Sequence, residues 1–234
     1  RTNSYRYSGQ SCGDWEEQFD EDGFPDPVYY DDGTRQEGWV WVEPYWDPEN
    51  PIKVCAFDAQ ERLYSTTGVD CSSAGDTECG CGPGLAWCKS SSSEYIILDS
   101  FAQQINQWVK QIVLSDRPYY EILNSKSIVL NGPMVHFYQY YAYQPAPFHM
   151  KYPPLNTDFL PELEFTDRDT WVETAMDPSF AGVLTSPAYL LRFTTNRSRA
   201  NQYNSYFNCN EFLGPTQGLP PGGNEAVMPD LTQR

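Results

Sequence analysis

Four of the seven cysteines fall in one short stretch, VDCSSAGDTECGCGPGLAWC, as Cys71, Cys79, Cys81 and Cys88, while Cys12, Cys55 and Cys209 lie outside it. Cysteines at this density in a loop-rich segment read as structural disulfides made in an oxidising compartment. Bridges that close such loops stabilise a fold by about 2–4 kcal/mol each. A zinc site is the rival reading. Structural zinc takes paired C-x-x-C knuckles, and the C-x-C spacing of Cys79 and Cys81 is a poorer match. Three bridges use six cysteines and leave one. The pairing stays open, and Cys209 or Cys12 is the thiol that a partner chain or a missing segment would engage.

The charge narrows the partners. A formal net charge of -17 over 234 residues removes the basic footprint that a nucleic acid or an anionic membrane requires. A cationic partner or bound calcium fits the sign. Residues 1–50 concentrate the effect, with 13 Asp or Glu against three Arg and no Lys. Aromatic residues make up 15% of the chain, a composition suited to cores with polar edges and to interaction surfaces. No apolar run approaches the roughly 18 residues of a spanning helix. The opening RTNSYRYSGQ has no apolar core of the signal type. With cysteines that imply export, the expectation is a processed or trimmed chain.

Periodicity divides the chain into a front and a rear. WVWVEPYW and IKVCAFDA alternate in the manner of strands, and DPENP supplies the turn between them, so a β-hairpin is expected with Cys55 on its second strand. Ile97, Phe101, Ile105, Trp108 and Ile112 recur at helical spacing, which predicts a helix over 93–114 capped by Ser92 or Ser93. SIVLNGP reads as a short extended piece, and MVHFYQYYAY as helix or strand. Thr166 or Asp167 is placed to cap a helix running through Met176. Further short helices are expected from Pro178, from Ser186-Pro187, and from Asn196 or Ser198 through Phe207. The fold class is therefore mainly α with a small disulfide-stapled β-hairpin region at the N-terminal side, an α+β arrangement. Its divisions are an acidic, cysteine-rich β-containing region over 1–90, a helical domain over 91–213, and a linker-like tail over 214–234.

VEPYW, KVCAFDAQ, CGCGPGLAWC, DRPYYEIL, VLNGPMVHFY and FAGVLTSPAYLLRFTTNRSRAN occur in an order that resembles a group of large secreted bacterial proteins. In that group, domains of unknown function adjoin segments similar to c-type cytochromes. The resemblance spans roughly residues 39–213 and carries over no catalytic residue. It implies a chain that belongs to a cytochrome-linked assembly. Members carry a Cys-x-x-Cys-His haem-attachment motif further on, and here neither His136 nor His149 follows a cysteine pair. The resemblance thus implies no haem covalently bound to this chain, and a haem on a partner or a missing segment.

Three sets of residues are candidates for chemistry. Asp20, Asp22 and Asp26, with Gly23, offer hard oxygen ligands on a turning backbone, as calcium requires. His136 is the candidate ligand for a partner's haem, because its aromatic setting would shield a porphyrin. Arg192, Arg197 and Arg199 form the basic cluster, suited to internal carboxylates or to a partner's carboxylate. No G-x-S-x-G elbow and no H-E-x-x-H occurs in the sequence. The preferred reading is an exported, non-catalytic structural or docking subunit, or a processed fragment. It would sit in the periplasm, at the cell surface or outside the cell. Its partner would be a c-type cytochrome or the remainder of the same polypeptide. The alternatives are an extracellular oxidoreductase or hydrolase, and a calcium-dependent binding module.

Overall fold

The computed structural model describes residues 12–19, 28–29, 35–65, 67–72, 79–141, 157–176 and 178–210. In chain order the regular elements are β1 (Val28–Tyr29), β2 (Arg35–Gln36), β3 (Trp39–Val42), β4 (Ile52–Cys55), α1 (Ser91–Leu114) and α2 (Glu121–Asn124). They continue as β5 (Ser127–Leu130), α3 (Gly132–His136), β6 (Val172–Ala175), α4 (Pro187–Arg192) and α5 (Asn196–Phe207). The strands pair as three antiparallel two-stranded sheets, β1 with β2, β3 with β4, and β5 with β6. The fold thus mixes helices and strands. It divides into two compact units, Arg1–Tyr189 and Leu190–Arg234. The boundary expected near residue 90 falls inside the first of these.

The expected hairpin is present as β3 and β4, with Trp39 opposite Cys55 and Val42 opposite Ile52. Val40 and Val54 point inward and are buried, while Trp41 stays exposed on the other face, the period-two pattern of a half-buried pair. Lys53 lies across from Trp41 and places its ammonium 3.5 Å from the centre of the Trp39 ring.

Helix α1 begins earlier than its sequence signal. Ser90 is the cap, accepting from the Ser93 N–H at 3.0 Å, and Ser93 Oγ accepts in return from the Ser90 N–H at 2.9 Å. This reciprocal box uses Ser93 inside the first turn rather than at the cap. Ile97, Phe101, Trp108 and Ile112 are buried, each contributing roughly 1.5–3 kcal/mol, and Ile105 is half-buried at the edge of the stripe. Gln104 lies in the same buried face and donates to the Val129 carbonyl at 2.9 Å, fastening α1 to β5.

The segment expected to be helical from Thr166 or Asp167 through Met176 is instead a turn followed by β6. Asp167 Oδ1 accepts from the Thr170 N–H at 3.0 Å, which closes a turn and not a helix. Val172–Ala175 then pairs with β5, with Thr174 opposite Ile128. The cause is tertiary. β5 is buried and needs a partner for its backbone groups, and the β-branched Val172 and Thr174 fit a pleated surface. MVHFYQYY resolves as α3 running into a π-helical turn over Phe137–Tyr141. Asn131 caps α3, its Oδ1 accepting from the Met134 N–H at 3.3 Å. Its amide nitrogen donates to Ser100 Oγ and to the Arg168 carbonyl, each at 3.1 Å.

In the second unit, Thr195 caps α5 by accepting from the Ser198 N–H at 3.1 Å, one residue before the expected start. Arg199 donates to the Phe193 carbonyl at 2.7 Å and to the Thr194 carbonyl at 3.4 Å. Its guanidinium therefore collects carbonyls at the end of α4, where a cation suits the helix dipole.

Candidate functional site

The seven cysteines resolve into Cys12–Cys55, Cys71–Cys79 and Cys81–Cys88, with Cys209 free and exposed. Cys71, Cys79, Cys81 and Cys88 are all buried as disulfides, which removes the zinc reading for this cluster. Cys12 is bridged to Cys55, so of the two candidates for the unpaired thiol only Cys209 remains. Among the described residues no group of three His, Cys, Asp or Glu is placed to hold a metal ion. Asp20, Asp22 and Asp26 lie outside the described residues, as does His149.

The loop closed by Cys81–Cys88 is bonded on two sides. Toward the hairpin, the Cys81 N–H donates to the Asp58 carbonyl at 2.7 Å, the Gly82 N–H to Gln60 at 3.0 Å, and the Gly84 carbonyl accepts from the Tyr45 N–H at 2.9 Å. Toward the helices, the Ala86 carbonyl lies 3.0 Å from His136 Nε2, and the Cys88 carbonyl accepts from the Tyr141 hydroxyl at 2.6 Å. Gly82 has a φ of 74°, and a Cβ there would meet the Trp87 ring at 2.7 Å. Only glycine satisfies both demands.

His136 is buried within aromatic rings. Tyr45 stacks on it with ring centres 3.8 Å apart and planes 14° from parallel, and Tyr140, Tyr141 and Phe165 surround it at 4.6, 5.3 and 5.4 Å. Burial lowers the imidazole to about 3, opposed in part by the Ala86 carbonyl. At neutral pH the ring is therefore uncharged, and Nε2 carries the hydrogen that Ala86 accepts. The shielding that the sequence pointed to is present. Yet Nε2 is engaged and a ring face is covered, so axial ligation of a haem would first require this packing to open. Lys89 sits nearby with its ammonium 4.7 Å from the Tyr141 ring, and partial burial lowers its pKa.

A second feature has no counterpart in the sequence reading. A groove of about 900 Å³ runs between residues 40–43 and residues 59–62, with Phe19 and Gly84 also lining it. Gln60 lines this groove and is 1% exposed, and both polar atoms of its amide are buried with no hydrogen-bond partner among the described residues. Nothing in FDAQER marks that glutamine as other than a surface residue following a strand. Only the fold, by folding Cys79–Gly82 over it, makes it interior.

Comparison with protein-family models, with curated proteins and with solved structures returns no match for this chain. Among the described residues no helix is long and apolar enough to cross a membrane.

Proposed function

We propose that this chain is an exported, non-catalytic docking subunit of a c-type-cytochrome-linked assembly, with the haem carried by a partner or by the rest of the polypeptide. The observation that carries the reading is an apolar surface at the end of α1 and the turn after it. Val113, Leu114, Tyr119 and Tyr120 are 61, 75, 70 and 62% exposed. Large apolar side chains left exposed this close together in the chain suit protein–protein contact, and tyrosine is favoured there because it offers area together with a polar tip. Tyr119 and Tyr120 belong to DRPYYEIL, one of the blocks on which the resemblance rests. The three disulfides suit a periplasmic, cell-surface or extracellular setting. The acidic charge suits a cationic partner surface, which would speed encounter at low salt.

The test is isolation of the chain from its source under non-reducing conditions and low ionic strength, followed by haem absorbance and mass spectrometry of co-purifying chains. The reading expects a haem protein in stoichiometric amount, lost on Tyr119→Ala with Tyr120→Ala while the melting temperature holds. A colourless, folded monomer isolated alone would end it.

A further inference from the structure

Among the described residues, the amide of Gln60 without a partner and a free stretch of strand edge border the same groove. The Ala56 N–H donates to the Gly38 carbonyl at 3.0 Å, which makes that pair hydrogen-bonded in the β3–β4 register. Alternation along an antiparallel ladder then gives the bonded pairs Val40–Val54 and Val42–Ile52, and turns the backbone groups of Trp39 and Trp41 to the opposite edge. Trp39 follows the rule. Its N–H donates to the Trp15 carbonyl at 2.8 Å, and its carbonyl accepts from the Glu17 N–H at 2.9 Å. Further along, the Tyr45 N–H is taken by Gly84. Between these anchors the outward N–H and C=O of Trp41 form no hydrogen bond among the described residues.

We propose that this groove binds an extended peptide segment of a partner protein, which adds as a short strand to the edge of β3 at Trp41 and is read by the Gln60 amide. A strand edge offers one donor and one acceptor per outward residue, the complement of an extended backbone. A carboxamide offers a donor and an acceptor together, and so matches one further peptide unit once the Gln60 side chain turns from its buried position into the groove. A buried group of this kind is costly to leave unmade, and a ligand that completes it recovers that cost. The anchors at Trp39 and Tyr45 limit the exposed edge to a few residues, so the bound segment is short. Glu43 and Glu61, exposed on the two walls, outweigh the half-buried Arg62 beside them and favour one Lys or Arg in the segment, placed away from Arg62. The inference does not depend on the partner carrying haem.

The test uses the full disulfide-intact chain and a phage-displayed library of random linear decapeptides. Selected peptides are expected to share β-branched residues in alternation with a Lys or Arg, and to lack proline at the core. Proline scanning of a selected peptide should abolish binding at every second position, because only alternate N–H groups face the strand. Gln60→Met should weaken binding at least fivefold while raising the melting temperature, since it removes the unpartnered amide at nearly constant volume. The proposal is overturned if no peptide family is enriched, if proline is tolerated without period, or if the peptides bind Gln60→Met as tightly. Displacement of the peptides by maltohexaose or cellohexaose would assign the groove to carbohydrate instead and would equally overturn it.

Discussion

Consider lowering the pH on the wild-type chain and on His136→Phe. The variant keeps a ring of similar shape against Tyr45 and loses the hydrogen bond to Ala86. At pH 7.5 it should be less stable by about 1–3 kcal/mol, because the buried Ala86 carbonyl loses its donor. Acid closes that gap. The folded protein holds the imidazole at about 3, while the unfolded chain titrates near its ordinary 6.5. The folded value is depressed, so the stabilisation is complete above about 6.5 and is lost as pH falls from there toward 3. Between pH 7.5 and 4.5 the unfolded state takes up nearly one proton that the folded state refuses, and the wild type loses about 2.7 kcal/mol that the variant keeps. That loss hardly changes wherever below 4 the folded value lies, because the folded ring stays neutral at pH 4.5.

The measurement is urea unfolding followed by tryptophan fluorescence at constant ionic strength, with disulfides intact. Every other ionisable group is common to the two proteins and cancels in the difference. The two stability curves should close on one another by about 2.7 kcal/mol between pH 7.5 and 4.5, with the His136 imidazole signal in NMR unchanged throughout. Curves that stay parallel within about 0.3 kcal/mol would mean that the ring is not held neutral by burial, and would refute the argument.

The remaining predictions concern the frame. Loop-closure entropy makes the longer bridge the more valuable: replacing Cys12 and Cys55 by Ser should cost about 4 kcal/mol in urea midpoint analysis, and replacing Cys81 and Cys88 about 2.5 kcal/mol. Native protein treated with Ellman's reagent should release one thiol equivalent per chain, falling to none in Cys209→Ser, because Cys209 alone is free and exposed. A Cβ at residue 132 would lie 1.8 Å from the Glu164 carbonyl oxygen, so Gly132→Ala should cost about 3 kcal/mol or more, read as a collapse of the melting temperature. Arg117 bonds Glu121 at 2.6 Å and Glu173 at 2.8 Å across a partly exposed surface, so Arg117→Met should cost about 1 kcal/mol and lose most of that effect in 1 M NaCl.

What was legible in the chain was local. WVWVEPYW and IKVCAFDA each carry a period of two, and the turn between them is short, so β3 and β4 find one another across few residues. The stripe from Ile97 to Ile112 declares α1 without help, and only its cap shifts, because three consecutive serines after Ser90 can each serve. β6 gives a helix signal in the sequence because its partner lies about 45 residues upstream, and Asp167 closes a turn with the same chemistry that caps a helix. The parity of the cysteines announced one free thiol, but its identity required the Cys12–Cys55 bridge to be seen. Gln60 was beyond reach for the same reason as Ala86. Each gains its meaning from residues brought in by a distant loop.

That loop also explains why no boundary falls at residue 90. A two-stranded hairpin is marginal by itself, and the front of the chain contains only such pairs among its described residues. Its core is made in part from the loop: Cys81, Leu85 and Cys88 pack with Val54, and Cys71 and Cys79 pack with Ala86 and Trp87. The same few residues present the carbonyls of Ala86 and Cys88 to His136 and Tyr141 on the helical side. Releasing the front therefore strips hydrogen-bond acceptors and apolar cover from the rear, and leaves the loop's carbonyls without donors. A loop pinned by Cys81–Cys88 cannot spread to satisfy one side alone. The disulfide cluster is thus the joint through which two halves of unlike structure share one core.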